Sequence, residues 1–271
     1  MKLLIPVDFT SLTENAYSYA LQLPFVNEIV LFHATATEKE KTSAMEQLNK
    51  IRNDFKIPSQ ITVSTLIKQG DFYDLIGETA TEINAELIVM ATHGVKGWQH
   101  IAGSHAMKVI THSKTPYIVV QSKPYRPVKK MIIPVDFTRE VKQVLSVVIQ
   151  YAHLFNAEVI LFEQLNRDSF IQHRITNNLN YFTSVLNDEK IVFKIVKKEF
   201  SLDDKCEVVT KEAAETNADI IVTTIDPDKG ITDYIMGVEE QKLLANELQL
   251  PVLCVNIYHF SSATDQFAMT E

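Results

Sequence analysis

The sequence predicts two α/β domains in tandem, each a doubly wound parallel sheet covered by helices. One observation is a repeat: LIPVDFT at 4–10 recurs as IIPVDFT at 132–138, an offset of 128. Later segments repeat at offsets of 130, 133 and 135. A repeat of this length has the size of an independent domain and far exceeds the roughly 20–50 residues of a solenoid repeat. The other observation is that short apolar runs alternate with amphipathic stretches, as in strands joined by helical crossovers.

Each predicted strand of the first repeat is a run rich in Val, Ile and Leu that is apolar on both faces, as in a sheet buried under helices. These strands are Leu3–Val7, Glu28–Phe32, Gln60–Ile67, Leu87–Ala91 and Tyr117–Gln121. Helices are predicted where apolar residues recur every three to four positions. They are Asn15–Leu23, Ala44–Phe55, Phe72–Ile83 and His105–Ile110.

The domain boundaries follow from the repeat and from the prolines. The first domain is predicted over residues 1–122 and the second over 128–258. Between them, residues 122–127 hold two prolines, which favour an extended connector. Residues 259–271 have too few apolar side chains to pack and are predicted to be a mobile tail.

Composition limits the classes of function. A net charge of −8, with 46% hydrophobic and 22% charged residues, is typical of a folded soluble protein and disfavours a nucleic-acid partner. Two cysteines are too few for a disulfide scaffold. No apolar run has the roughly 20 residues needed to span a bilayer, so no membrane partner is expected. Pro6 and Asp8 interrupt any signal-peptide core, and we predict a cytoplasmic protein.

The first candidate site residue is Asp8, which follows the first strand. In one interpretation it is a turn or N-cap acceptor for a helix that begins near Ser11. In the other it is a carboxylate at the carboxyl edge of the sheet, where doubly wound folds bind ligands. Asp136 repeats the position in the second half. The residues alone leave both interpretations open.

The second candidate is a glycine-bearing loop. Only 7 glycines occur in 271 residues, and Gly94, Gly97 and Gly103 lie within ten positions between a predicted strand and a predicted helix. Free amides at a helix N-terminus suit a phosphate, glycines allow close approach, and Ser104 adds a hydroxyl. The alternative is that Gly103 and Ser104 form only a turn and a cap. No Walker motif is present.

Catalytic and metal motifs are not found. His105 and His112 are seven residues apart on one predicted helix, too far to share an ion, so no metal site is predicted. His93 remains a candidate site residue because it lies inside the glycine loop. The sequence has no nucleophile elbow, zinc-protease motif or Cys-x-x-Cys, so no catalytic residue and no enzyme is predicted, with weak ATP hydrolysis left open. Phe72, Tyr73 and Trp98 are interpreted as core or interface residues.

Together these motifs resemble the universal stress proteins, in the tandem form with two domains in one chain. The resemblance covers nearly the whole chain, and its motifs are Pro6-Val7-Asp8, Leu31-Phe32-His33-Ala34, Leu87-Ile88-Val89-Met90, Thr92-His93-Gly94, Gly103-Ser104 and Pro116–Val120. It implies a five-stranded parallel sheet in each domain, with an adenine nucleotide alpha hydrolase-like fold. It also implies that the domains pair through their last strands as an internal pseudo-dimer.

The resemblance further implies an adenine nucleotide, ATP or AMP, in the first half, with magnesium left open. Asp8 would meet the adenosine. The adenine and ribose pocket would be lined by Pro6, Val7, Ala34 and Met90. The phosphates would be held in the loop of His93 by Gly94, Gly103, Ser104 and the amide of His105.

Two departures from the family pattern affect the first half. Ala91 stands where the family has its first glycine, and eight residues rather than nine separate Gly94 from Gly103. Alanine is tolerated there only with a negative φ, and the shorter loop shifts the place of a terminal phosphate. The smaller AMP therefore stays beside ATP as the expected ligand.

The second half departs further. Thr224-Ile225-Asp226-Pro227 replaces the first part of the phosphate motif, and Gly237-Val238 replaces its Gly-Ser pair. Asp226 and Asp228 would repel a phosphate, and Pro227 lacks an amide hydrogen. We predict that this half binds no nucleoside triphosphate and serves as a structural or partner-binding half.

The sequence thus predicts a cytoplasmic stress-response sensor or regulator that binds an adenine nucleotide in its N-terminal domain. The alternative is a scaffold that binds protein partners and no nucleotide, which Ala91 and the shorter loop favour. An adenylating or pyrophosphate-releasing enzyme is disfavoured, because the Ser-Gly-Gly and His-x-Gly-His signatures are missing. Association into a homo-oligomer stays open.

Overall fold

The computed structural model describes residues 1–92, 115–136, 141–200, 204–225 and 242–256. The first half contains β1 (Lys2–Pro6), α1 (Ser11–Ala20), β2 (Glu28–Thr35), a short 3₁₀ turn (Glu38–Glu40), α2 (Lys41–Asp54), β3 (Thr62–Gln69), α3 (Phe72–Glu82), β4 (Leu87–Ala91) and β5 (Tyr117–Val120). The second contains β6 (Lys130–Val135), α4 (Val141–Phe155), β7 (Glu158–Leu165), α5 (Ser169–Asp188), β8 (Phe193–Glu199), α6 (Lys205–Thr216), β9 (Ile220–Ile225) and β10 (Val252–Asn256). The predicted helix His105–Ile110 and tail 259–271 lie outside the described residues.

The strands form one ten-stranded sheet in the order β3-β2-β1-β4-β5-β10-β9-β6-β7-β8. All neighbours within each half are parallel, and the strand order reverses between β1 and β4 and again between β6 and β9. The halves meet through β5 and β10, which are antiparallel and place Ile118 opposite Leu253. The predicted fold class, two doubly wound domains paired through their last strands, is therefore confirmed.

Each face of the sheet is covered by its own set of helices. Side chains alternate along β1, so Leu3 and Ile5 point to one face and Leu4 to the other, and all three are fully buried. The first face packs against α1, α2, α4 and α5, and the second against α3 and α6. Burial on both faces explains why the strands are continuous apolar runs.

The predicted element boundaries differ from the observed ones by a few residues. The first helix begins at Ser11 rather than Asn15 and ends at Ala20, and β3 runs over Thr62–Gln69 rather than Gln60–Ile67. The first turn of α1 carries polar residues, which the apolar spacing does not detect. β2 continues three residues beyond the predicted Phe32, and this extension brings His33 and Ala34 to the carboxyl end of the strand.

Side chains also join the two halves. The Gln121 Nε2 atom donates a hydrogen bond to the Asn246 carbonyl at 3.0 Å. Across the same seam, the Phe25 ring packs edge-on against Phe155 with a centroid distance of 5.1 Å. The pairing of the halves thus includes buried polar and aromatic contacts besides the β5–β10 ladder.

Candidate functional site

Five of the predicted site residues lie at the carboxyl edge of the first-half sheet. Pro6 is the last residue of β1 and is followed by Val7 and Asp8, Ala34 is near the end of β2, and Met90 is near the end of β4. Because β1 lies between β2 and β4 and all three are parallel, their carboxyl ends share one edge, at the reversal of strand order. The other predicted site residues, His93, Gly94, Gly103, Ser104 and His105, lie outside the described residues.

One carboxylate oxygen of Asp8 organises the turn that leads from β1 into α1. Oδ1 accepts hydrogen bonds from the Thr10 backbone N–H at 3.0 Å, the Thr10 hydroxyl at 2.7 Å and the Thr13 hydroxyl at 3.0 Å. Oδ2 accepts no hydrogen bond from any residue that the structure describes, and Asp8 is exposed. Asp8 is therefore a turn acceptor through one oxygen, and its other oxygen can meet a ligand.

The residue after Asp8 has a strained backbone. Phe9 has φ 59°, in the left-handed region that non-glycine residues rarely adopt. Its ring lies against the His33 imidazole, with a centroid distance of 4.3 Å and a tilt of 46°. Strain of this kind often occurs at functional sites, where the surrounding structure fixes it. Here it accompanies the sharp departure of the chain from β1 at the sheet edge.

His33 ends the hydrogen-bond ladder between β1 and β2. The Val7 N–H donates to the Phe32 carbonyl at 2.7 Å, and the Val7 carbonyl then lies 2.7 Å from Nδ1 of His33. A carbonyl can only accept, so Nδ1 carries a hydrogen and donates it to the Val7 carbonyl. The imidazole is thereby fixed in orientation between Phe9 and Phe72.

The first turn of α3 forms the neighbouring wall. Asp71 caps this helix, accepting from the backbone N–H groups of Tyr73 at 2.9 Å and Asp74 at 3.2 Å. The Phe72 ring stacks on Phe32, with centroids 6.2 Å apart. Burial raises the pKa of Tyr73, and the charges of Asp8 and Asp71 raise it further, which places its hydroxyl in the field of the Asp8 carboxylate.

A buried hydroxyl lies where β4 enters the glycine loop. Thr92 is 1% exposed, and its N–H donates to the Val120 carbonyl at 2.9 Å. Its hydroxyl has no hydrogen-bond partner in the described part of the chain. Buried polar groups in native proteins are nearly always paired, so this hydroxyl is a candidate for contact with the loop or with a ligand.

Sequence reasoning assigned no site role to His33, Tyr73 or Thr92, nor to the threonines that hold Asp8. The sequence does contain one signal for residues near the site. Every residue directly after β1, β2, β3 or β4 lies at the carboxyl edge of the sheet, because these strands are parallel. Phe72 packs as a core residue, as the sequence suggests, whereas the charge of Asp8 helps to raise the pKa of the adjacent, half-buried Tyr73. Adjacent residues at a helix start point in different directions, which the linear pattern does not resolve.

The corresponding edge of the second half is filled by internal ion pairs. Asp136, the counterpart of Asp8, lies with Oδ2 3.7 Å from the Lys205 Nζ atom. Lys205 is the first residue of α6, as Phe72 is the first of α3. The two positions are therefore equivalent in the fold, and the second half places a cation where the first half places an aromatic ring.

The counterpart of His33 is also charged and paired. Glu163 is 2% exposed, its Oε2 lies 2.7 Å from the Lys197 Nζ atom, and its Oε1 accepts from the Gln172 Nε2 atom at 3.0 Å. Gln164, in the place of Ala34, donates to the Phe200 carbonyl at 2.9 Å. Asp226, Pro227, Asp228 and Gly237 lie outside the described residues, so the predicted loss of the phosphate loop stays a prediction.

Two other kinds of site are absent from the described ranges. These residues contain no group of three His, Cys, Asp or Glu side chains that could hold a metal ion. None of their helices combines the length and the apolar character that a membrane span requires.

Comparison with known proteins finds a family match for the first half and fold matches for nearly the whole chain. Residues 1–121 match the family model described as the universal stress protein family. A universal stress protein from Archaeoglobus fulgidus superposes over 94% of this chain and 96% of its own, with 16% identity and a TM-score of 0.70. A protein described as a putative universal stress protein from Pseudomonas aeruginosa covers 94% and 92%, with 17% identity and a TM-score of 0.59.

The match to the universal stress protein family thus covers the first half of the chain, residues 1–121. The universal stress protein from Archaeoglobus fulgidus shares the fold of both halves. The fold alone does not fix a function. The cytoplasmic domain of a prokaryotic cation chloride cotransporter shares it over 93% of this chain and 94% of its own, with 7% identity and a TM-score of 0.55.

Proposed function

We propose that this protein binds an adenine nucleotide, ATP or AMP, at the carboxyl edge of its first half. In this proposal it acts in the cytoplasm as a stress-response sensor or regulator without efficient catalysis. The observation that carries the proposal is the difference between two equivalent carboxylates. Asp8 keeps Oδ2 unused by the described residues, whereas Asp136 faces Lys205.

The chemistry at this edge suits a nucleoside. A carboxylate oxygen is an acceptor for ribose hydroxyls, and hydrogen bonds to a charged group contribute about 1.5–3 kcal/mol each. Ala34 and Met90 are small and flexible neighbours that can border a flat base, in positions where the second half has Gln164 and Thr223. Tyr73 and His33 add a hydroxyl and a ring nitrogen at the same edge.

The phosphates are assigned to the loop by resemblance to the family. His93, Gly94, Gly103, Ser104 and the amide of His105 would hold them, with or without magnesium. The loop has eight residues between its glycines instead of nine, so the phosphate count is a question for measurement. His93 is the general base this loop offers, which is why slow hydrolysis of ATP is the most that we expect.

Calorimetry of the nucleotide-free protein with ATP and with AMP tests the proposal. The variant Asp8→Asn keeps an oxygen for Thr10 and Thr13 but replaces the unused acceptor with an amide. We expect it to weaken nucleotide binding about tenfold or more, the loss of one charged hydrogen bond. The matched variant Asp136→Asn should bind like the parent. Equal losses in both variants, or none in either, would contradict the assignment.

A second candidate function is a scaffold that binds protein partners without nucleotide. Phe170 and Val192 in the second half are each 70% exposed, the highest exposures among the large apolar side chains that the structure describes. These two side chains are the exposed apolar groups that a protein partner would contact in this function. If the protein has this function, calorimetry with millimolar ATP or AMP should show no heat of binding. A pull-down should recover a protein partner equally well with and without added nucleotide.

A further inference from the structure

Strand β3 is one of the two outer strands of the ten-stranded sheet. Near its two ends, the N–H groups of Thr62 and Gly70 donate to the carbonyls of Asn27 at 2.9 Å and Thr35 at 3.1 Å. Backbone groups of a strand alternate between its two sides, so the even-numbered residues of β3 bond to β2. The N–H and carbonyl groups of its odd-numbered residues therefore point away from the sheet, and no described residue bonds to them.

This open edge is long and regular. β3 pairs with β2 residue by residue over the whole of Thr62–Gln69, without a bulge, and it contains no proline. At roughly 3.3 Å per residue the edge is about 26 Å long. A long edge without bulges or prolines is a template on which another strand can pair.

The outer strand at the other end of the sheet is better protected. β8 carries Lys194, Lys197 and Lys198, and lysines on an edge strand oppose pairing with a further strand. β3 carries one lysine, Lys68, and its ammonium group forms an ion pair with Glu82 of α3. Of the two outer strands, β3 is therefore the one whose charges least oppose an added strand.

The sequence of β3 is complementary to itself when two copies run antiparallel about Thr65. In that register Thr65 lies opposite Thr65 of the second copy, and Val63 lies opposite Ile67. Like charges are not opposed within the strand, because Lys68 lies opposite Thr62. Odd-numbered residues also lie opposite odd-numbered residues, so the open N–H and carbonyl groups of the two edges meet.

An exposed apolar side chain lies beside the centre of this register. The Thr65 hydroxyl donates to the Sδ atom of Met45 on α2 at 3.4 Å. Met45 is 36% exposed, and the other exposed large apolar side chains that the structure describes belong to the second half. A methionine is flexible and adapts to an apolar partner. The surface around Thr65 thus offers both open backbone groups and an apolar contact.

We propose that a second copy of this chain pairs antiparallel with β3 and forms a symmetric dimer. The two sheets join edge to edge, with ten strands from each copy. The two Met45 side chains flank the two-fold axis on the face that carries α2. This interface closes on itself, because each copy uses its β3 edge once. The paired strands run in opposite directions, so the candidate nucleotide sites lie at opposite edges of the joined sheet, and the dimer does not depend on nucleotide.

Charged residues at the two-fold axis test the proposed register. Sedimentation equilibrium of the parent at high micromolar concentration should give twice the mass of the chain. Thr65→Asp and Thr65→Lys each place two like charges opposite each other and should each weaken the dimer about tenfold or more. An equimolar mixture of the two variants should dimerise again, because Asp then faces Lys. Recovery in the mixture also excludes misfolding as the cause of the losses.

A cysteine at the same position tests the pairing by a covalent link. In the hydrogen-bonded pair proposed here, opposite Cα atoms lie about 5.5 Å apart, which suits a disulfide. Thr65→Cys should therefore form a linked dimer under mild oxidation. Ser64→Cys is the matched control, because position 64 lies opposite Leu66 and not opposite itself. The parent, with free Cys206 and Cys254, gives the background.

A variant of the other outer strand completes the test. Ile195 of β8 is 41% exposed, and Ile195→Asp should leave the dimer unchanged. A parent that is monomeric at high micromolar concentration would overturn the proposal, as would a Thr65→Asp variant that dimerises like the parent. Dissociation by Ile195→Asp in place of Thr65→Asp would assign the interface to β8 and would overturn it as well.

Discussion

The two halves of the chain share one strand order and differ in the polar side chains at the carboxyl edge. In the first half, Asp8 uses one oxygen for its own turn, His33 bonds the carbonyl of the preceding Val7, and the charge of Asp8 acts on Tyr73. In the second, Asp136 and Glu163 face lysines of the same half. The apolar strands preserve the fold in both copies, while the edge side chains contribute little to the core and can diverge.

The largest expected effect comes from breaking the pair between the buried Glu163 and the half-exposed Lys197 of the second half. Lys197→Met leaves the Glu163 carboxylate buried with only Gln172 as a donor. We expect the free energy of unfolding to fall by about 2.5 kcal/mol, below the roughly 3–5 kcal/mol of a fully buried pair because solvent screens Lys197. Urea unfolding measures this change. Lys194→Met on the same strand is the control, and a loss within about 0.5 kcal/mol of that control would contradict the account.

Placing the same Glu–Lys pair in the first half tests whether these side chains account for the difference between the halves. His33 lies opposite Ile67 in the β2–β3 ladder, as Glu163 lies opposite Lys197 in the β7–β8 ladder. His33→Glu alone should destabilise the protein by about 2 kcal/mol, because it places an unpaired carboxylate in a half-buried position. Adding Ile67→Lys should restore much of that loss.

Nucleotide affinity distinguishes restored stability from restored function. The double variant His33→Glu with Ile67→Lys should regain stability in urea unfolding and still bind nucleotide more weakly than the parent, because it reproduces the second-half edge. Parent-like affinity in the double variant would show that this edge does not hold the ligand.

The smallest expected effect concerns a buried tyrosine of the first half. Tyr17 is fully buried, and its hydroxyl has no partner among the described residues. Tyr17→Phe should therefore raise the free energy of unfolding by about 1 kcal/mol. By contrast, the Tyr151 hydroxyl of the second half reaches the Glu86 carbonyl at 3.5 Å, and Tyr151→Phe should not stabilise the protein.

Tyr17 should also change how the stability of the protein depends on pH above 10. Burial raises the pKa of Tyr17 to about 12 from an ordinary value of 10.0. The folded state keeps the proton longer than the unfolded chain, so this contribution to stability is complete below pH 10 and is lost as the pH rises through 12. The Tyr17→Phe variant should lose less stability than the parent between pH 10 and pH 12, with unfolding monitored by circular dichroism. An identical pH dependence would contradict the assignment.

The fold was accessible from the sequence because its signals are local and repeated. Runs such as Leu3–Val7 and Leu87–Ala91 are apolar on both faces, and LIPVDFT recurs in the second half. The pairing of β5 with β10 came from resemblance to the family, since nothing within either strand specifies its partner. Boundaries were less accurate because polar first turns, as at Ser11, carry no apolar spacing.

The candidate site was accessible only in part. Asp8 can be identified because it directly follows a strand. That only one of its two oxygens accepts hydrogen bonds from Thr10 and Thr13 is visible in the structure alone. The pairing of Asp136 with Lys205 joins residues far apart in the chain, and periodicity does not reveal such contacts. The pairing of Glu163 with Lys197 likewise requires the strand register.

The measurement that tests the asymmetry most directly is the stoichiometry of nucleotide binding to the full chain. Calorimetry or equilibrium dialysis with saturating ATP, repeated with AMP, counts the sites. We predict one nucleotide per chain, bound about tenfold or more weakly by Asp8→Asn and with parent affinity by Asp136→Asn. Two nucleotides per chain, or one whose binding is weakened by Asp136→Asn instead, would contradict the account.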